Sequence, residues 1–157
     1  MKIDARIGGN GVSAPRLTAT VEAGRLAMID RYLAEYPNDV IFVEVKRDDP
    51  RSWDEWYDGI DQIEYMQVGI AGDFAAAQYS RGGVKCADPI VYATYNSGPL
   101  ADAPRISYDP ELSWYFPAEN VISRIEVRQL MIEFVVTGEW SHASLWRAQE
   151  NLVAAGR

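Results

Sequence analysis

The residues best equipped for chemistry crowd into one window. From Glu44 to Glu64 the chain carries eight carboxylates (Glu44, Asp48, Asp49, Asp54, Glu55, Asp58, Asp61 and Glu64) against three cations, Lys46, Arg47 and Arg51. The window is therefore −5, most of the chain's net −8. By three-four spacing Trp53, Trp56, Tyr57 and Ile60 share one side of a helical turn, and Asp54, Asp58 and Asp61 share another. General acid–base catalysis needs two carboxyl groups held in different environments. Here the acids have polar neighbours and no histidine lies nearby. A calcium loop needs acids at alternating positions and a glycine at its sharp turn, which Asp48-Asp49-Pro50 does not supply. Recognition is the chemistry that fits: aromatic rings give desolvated anchors and carboxylates pair with Lys or Arg of a basic partner. The contact set this predicts is Asp48, Asp49, Trp53, Asp54, Glu55, Tyr57, Asp58 and Asp61. The competing expectation is that the rings fill the protein's own core and the acids are merely solvated.

Other reactive residues stand apart from any motif. His142, the single histidine, has no nucleophile fixed near it by spacing and reads as structural. Cys86, the single cysteine, reads as a small buried thiol. Gly69-Ile70-Ala71-Gly72 lacks the spacing and lysine of a phosphate loop. Tyr79, Tyr92, Tyr95 and Trp114 could instead line a small-ligand pocket, of a binding domain or an enzyme, and that is the alternative reading of the chain. Self-association as a homodimeric adaptor is a third, and the oligomeric state is left open.

The net charge opposes direct binding to nucleic acid or an anionic membrane and favours a basic partner. With one cysteine there is no disulfide framework and no thiolate metal cluster, which suits a reducing cytoplasm. Met1-Lys2-Ile3-Asp4-Ala5-Arg6 lacks the apolar core of a secretory leader, and no window approaches the roughly 18 apolar residues of a membrane span. At 157 residues, 48% hydrophobic, the chain suffices for one domain (1–157) with a real core.

Several elements must position these residues. A first strand is expected over 1–7 and a turn over Gly8–Gly11. A helix over 21–36 is expected, capped by Thr20, with Ala23, Leu26, Ile29, Leu33 and Tyr36 as its buried stripe. Val40–Val45 reads as a buried strand. Ser52-Trp53-Asp54-Glu55 has capping-box form and should start a short helix over 53–58, stopped by Gly59. Runs at 62–70, 73–80 and 86–95, joined by turns at Gly69–Gly72 and Arg81–Gly83, predict an antiparallel meander. A proline-rich loop over 96–110 and a strand near 112–116 follow. The last helix is the most fully encoded. Ser123 and Glu126 form a capping box, Ile122 and Val127 a hydrophobic staple, and Val127, Leu130, Met131 and Phe134 a buried stripe. Gly138 is placed for a left-handed stop. A short strand over 142–146 and a tail over 147–157 complete an α+β domain: a mostly antiparallel sheet of about five to seven strands with two main helices packed on it.

Phe116-Pro117-Ala118-Glu119-Asn120-Val121-Ile122, then Phe134-Val135, Thr137-Gly138-Glu139 and Trp146, resembles the C-terminal signature of the first-catalogued immunity family (Imm-one type) of bacterial polymorphic toxin systems. The likeness covers about the last 30 residues well and the first 100 in layout only. Members often carry Arg-Pro after the Gly-Glu, where this chain has Trp140 and Ser141. The resemblance implies a non-enzymatic α+β protein, without cofactor or metal, that binds and neutralises a cognate toxin domain by occluding its active site. Toxins of such systems include nucleic-acid deaminases, and a nuclease is also in scope. The signature residues serve the fold, so the resemblance leaves the toxin-binding face to the acidic, aromatic window.

Overall fold

A computed structural model describes residues 1–9, 15–59, 63–82, 86, 88–98, 100–139 and 145–148, with residues 57–59 and 63 described by their backbone alone. Alternating apolar side chains build a large antiparallel sheet. Its strands are β1 (Ile3–Gly9), β2 (Leu17–Ala19), β3 (Val40–Arg47), β4 (Ile63–Ala71), β5 (Phe74–Gly82), β6 (Ile90–Thr94) and β10 (Trp146–Ala148), in spatial order β10-β6-β5-β4-β3-β1-β2. A short β9 (Ile122–Ser123) pairs with the start of β5, and β7 (Ser107–Asp109) and β8 (Trp114–Tyr115) form a separate hairpin. The expected meander is present as β4-β5-β6. Its first turn is Gly72-Asp73, with Gly72 at φ +60° in the glycine position of a two-residue hairpin loop. Among the described residues no helix is long and apolar enough to cross a membrane.

One face of the sheet lies under two helices, α1 (Glu22–Glu35) and α3 (Arg124–Thr137). Ile3, Ala5 and Ile7 of β1, Ile41, Val43 and Val45 of β3, and Met66, Val68 and Ile70 of β4 meet Ile29, Leu33, Leu130 and Phe134 there. The capping box, buried stripe and glycine stop expected of α3 are realised. Glu126 N–H donates to Ser123 Oγ at 3.1 Å, and Ser123 N–H donates to Glu126 Oε2 at 2.9 Å. Gly138 takes the left-handed conformation at φ +71°, where a Cβ would also press on Arg47 Cδ at 3.0 Å.

The start of α1 differs from expectation. Val21 occupies the cap without a side-chain bond, while the Thr20 hydroxyl donates to Asp4 Oδ1 at 2.5 Å. The buried set is Arg25, Met28, Ile29, Tyr32 and Leu33, so Ala23 is left exposed. The cause is polar: the buried Arg25 guanidinium donates to the carbonyl of Ile3 at 3.0 Å and to that of Thr20, which turns this side of the helix onto β1.

The opposite face is covered in two parts. Over β4 and β5 lies the segment carrying β7 and β8, where Ile106, Tyr108, Phe116 and Val121 pack on Ala76. This layer explains Gly69, which lies inside β4 rather than in a turn. A Cβ there would stand 2.3 Å from the carbonyl oxygen of Ser107 and 2.7 Å from Ile106 Cγ2. Over β1 and β3 lies the short helix α2 (Trp53–Gly59), opened by the expected capping box: Glu55 N–H donates to Ser52 Oγ at 3.2 Å and Ser52 N–H to Glu55 Oε2 at 2.9 Å.

Candidate interaction site

Helix α2 stands on a buried charge ladder. On β1 the apolar Ile3, Ala5 and Ile7 alternate with Asp4 and Arg6, and on β3 Val43 and Val45 alternate with Glu44 and Lys46. Period-two alternation therefore sends all four charges to the face away from α1 and α3. The antiparallel register sets Asp4 opposite Lys46 and Arg6 opposite Glu44, opposite signs in both cases. Arg6 donates to both Glu44 oxygens, at 3.1 and 3.2 Å, and Lys46 Nζ lies 3.6 Å from Asp4 Oδ2. Asp4, Arg6 and Lys46 are each less than a tenth exposed.

The Trp53 ring lies over this ladder. The Arg6 guanidinium carbon is 4.7 Å from the ring centroid and Lys46 Nζ 5.0 Å, a double cation–π arrangement. Trp56, buried, meets Trp53 edge-on at 5.3 Å. Lys46 also donates to the carbonyl of Arg51 and so ties down the loop that leads into α2. Trp53 is thus half-buried against its own sheet and seats α2.

The acids of the window divide. Asp48, exposed and at φ +48°, accepts the Lys2 backbone N–H at 2.6 Å, fastening the end of β3 to the start of β1. Asp49 takes a fork from Arg51, with Nε at 2.9 Å and NH2 at 2.5 Å from its oxygens, and those bonds lower its pKa to about 2. The hydrogen bonds from Ser52 hold the Glu55 carboxyl below its ordinary value. Asp54 is exposed and makes no hydrogen bond or ion pair among the described residues. The backbone of Tyr57 and Asp58 belongs to α2, whereas Ile60 and Asp61 lie outside the described residues. Glu44 is spent on Arg6. Glu64 is on the other face, bonded to Arg47 and accepting from the Tyr79 hydroxyl. The structure therefore brings Asp48, Asp49, Trp53, Asp54 and Glu55 together around the start of α2, with Asp48, Asp54 and Glu55 exposed, Asp49 held by Arg51 and the ring inward.

The four rings of the alternative reading do not line one pocket, although Tyr79 and Tyr92 stand opposite each other on β5 and β6. Tyr79 is buried under α3 with its ring edge-on to Phe134, 5.8 Å away, and its hydroxyl pKa is raised first by burial and then by Glu64. Tyr92 packs against the same helix-covered core and Trp114 against the β7–β8 layer, while Tyr95 lies under Arg147, 4.4 Å from its guanidinium carbon. Cys86 is partly exposed rather than buried, and His142, Trp140 and Ser141 lie outside the described residues. Among the described residues no group of three His, Cys, Asp or Glu side chains is arranged to hold a metal.

Sequence reasoning missed the ladder. Its signal was present in Ile-Asp-Ala-Arg-Ile and Val-Glu-Val-Lys, where charges occupy every second place of otherwise apolar strands. Comparison of the chain with protein-family models, with curated proteins and with solved structures finds no match.

Proposed function

We propose that this protein is a non-enzymatic, cytoplasmic immunity protein of the polymorphic-toxin type, binding a cognate basic toxin domain and occluding its active site. The C-terminal signature from Phe116 to Trp146 points to that class. The observation that carries the geometric part is α2: a short helix seated by Trp53 on buried cations, with Asp48, Asp54 and Glu55 directed to water at its start. A toxin domain that acts on nucleic acid needs a cationic cleft. An acid-bearing element already fixed to a sheet meets such a cleft without ordering on binding, and its field speeds encounter.

The test is the pair Asp54→Lys and Asp58→Lys together, measured against the toxin domain encoded beside this gene. The association rate should fall by about tenfold or more at low salt, with the difference shrinking as ionic strength rises. Affinity and rates equal to wild type remove α2 from the interface.

A further inference from the structure

Beside Trp53, on the same face, the sheet carries a groove of about 370 Å³ that the immunity reading does not use. That is the lower end of the volumes that hold small organic ligands. Phe42 of β3 and Tyr65 of β4 form one wall, with ring centroids 6.4 Å apart and planes inclined at 51°. Gly8 and Gly9 of β1 form the floor, and Gly8, directly across from Phe42, adds no side chain of its own beside that ring. Arg16 crosses above: a Cβ on Gly8 would stand 3.2 Å from Arg16 Cγ and 4.0 Å from its Nε. Glycine at position 8 thus lets an arginine lie flat across the strand.

The charges in the groove are specific. Arg6 and Glu44, both in its lining, are engaged with each other. Arg16 is exposed and makes no hydrogen bond or ion pair among the described residues. A cation entering would meet two guanidinium groups and a carboxylate already taken by Arg6. A neutral ring would fill the wall and cover Arg16 without giving its donors an acceptor. An anion supplies the acceptor, and a guanidinium binds a carboxylate through two parallel hydrogen bonds. The chain's net −8 opposes this weakly, because charges more than about 10 Å away are screened at ordinary ionic strength. We propose that this groove is a binding site for a small aromatic anion, its ring against Phe42 and Tyr65 and its acidic group on Arg16. The proposal is independent of the toxin-binding reading.

The test is an amide NMR titration of the full chain with four probes: phenylacetate, benzylamine, benzyl alcohol and acetate. Phenylacetate should move Gly8, Gly9, Phe42 and Tyr65 saturably in the millimolar range, about tenfold more tightly than benzylamine or acetate, with benzyl alcohol between. Arg16→Ala, at an exposed position, should weaken phenylacetate about tenfold and leave the melting temperature unchanged. Equal binding of benzylamine, shifts centred elsewhere, no saturable shift, or full binding by the Arg16→Ala variant would each overturn the proposal. The probe series on the unmodified protein decides the matter even if the variant is unstable.

Discussion

Trp53→Ala separates two roles for the most prominent aromatic residue of the acidic window. If the ring seats α2, its removal is a stability event before it is a binding event. The ring faces two cations at 4.7 and 5.0 Å on a buried ladder, where each cation–π contact contributes about 0.5–2 kcal/mol. Its edge-on contact with Trp56 adds about 0.5–1.5 kcal/mol. A fully buried tryptophan truncated to alanine loses about 3–5 kcal/mol. Trp53 is only half-buried and the contacts are not additive, so the expected loss is about 2–4 kcal/mol. For a chain of this size that lowers the melting temperature by roughly 5–15 °C. Urea unfolding followed by far-ultraviolet circular dichroism measures it, with Trp53→Phe as the control that keeps a ring and should recover at least half the loss. A loss below about 0.5 kcal/mol, the range of an ordinary surface change, would refute the reasoning. It would mean that the ring is not held by the ladder and would return Trp53 to the set of free partner anchors.

Two further perturbations probe the same face. Arg6→Met alone leaves the partly buried Glu44 without its cation and should destabilise by about 2–4 kcal/mol, while Arg6→Met with Glu44→Met should recover most of that in the same unfolding assay. Gly69→Ala places a Cβ 2.3 Å from the Ser107 carbonyl oxygen, so the β7–β8 layer must lift, with a loss of about 1–3 kcal/mol and faster amide exchange at Tyr108 and Phe116; unaltered exchange there would contradict the close approach.

What was legible in the chain was what neighbours in sequence decide. The capping box and glycine stop of α3 are local devices, and each formed where its residues stand, while Ile122 and Val127 of the expected staple are both buried. The same holds for the Ser52–Glu55 box and the Gly72 turn. Long-range polar contacts were not legible. Thr20 looks like a cap until Asp4, sixteen residues earlier, takes its hydroxyl. Arg25 looks like a solvated residue until the Ile3 carbonyl draws it inward and shifts the buried stripe. Gly69 reads as a turn signal because the chain does not show that the β7–β8 layer will press on that strand. The acidic window reads as one patch because sequence spacing does not show which sheet face a strand residue takes. Glu44 and Glu64 fall on opposite faces and each finds an arginine.

The charge ladder has a physical origin in how the second face is covered. Fourteen-residue helices on the other face bury a continuous apolar surface. On this face the β7–β8 layer lies over β4 and β5 and β7 reaches β3, whereas over the charged stretch of β1 and β3 stands the seven-residue α2. A helix of two turns cannot seal an apolar strip two strands wide. Alternating Asp, Arg, Glu and Lys solves this, because their aliphatic stems cover the sheet while opposite charges satisfy one another at its surface. The cations then bind Trp53 from below, which fixes α2, and Arg6 extends the same arrangement into the neighbouring groove. Under the two proposals, stability and recognition divide along the chain. The signature segment and both long helices hold the core, whereas Asp54 and Arg16, exposed and without partners among the described residues, hold nothing else in place. Substituting either one should alter binding while leaving the fold intact, which is the separation that the two binding tests above require.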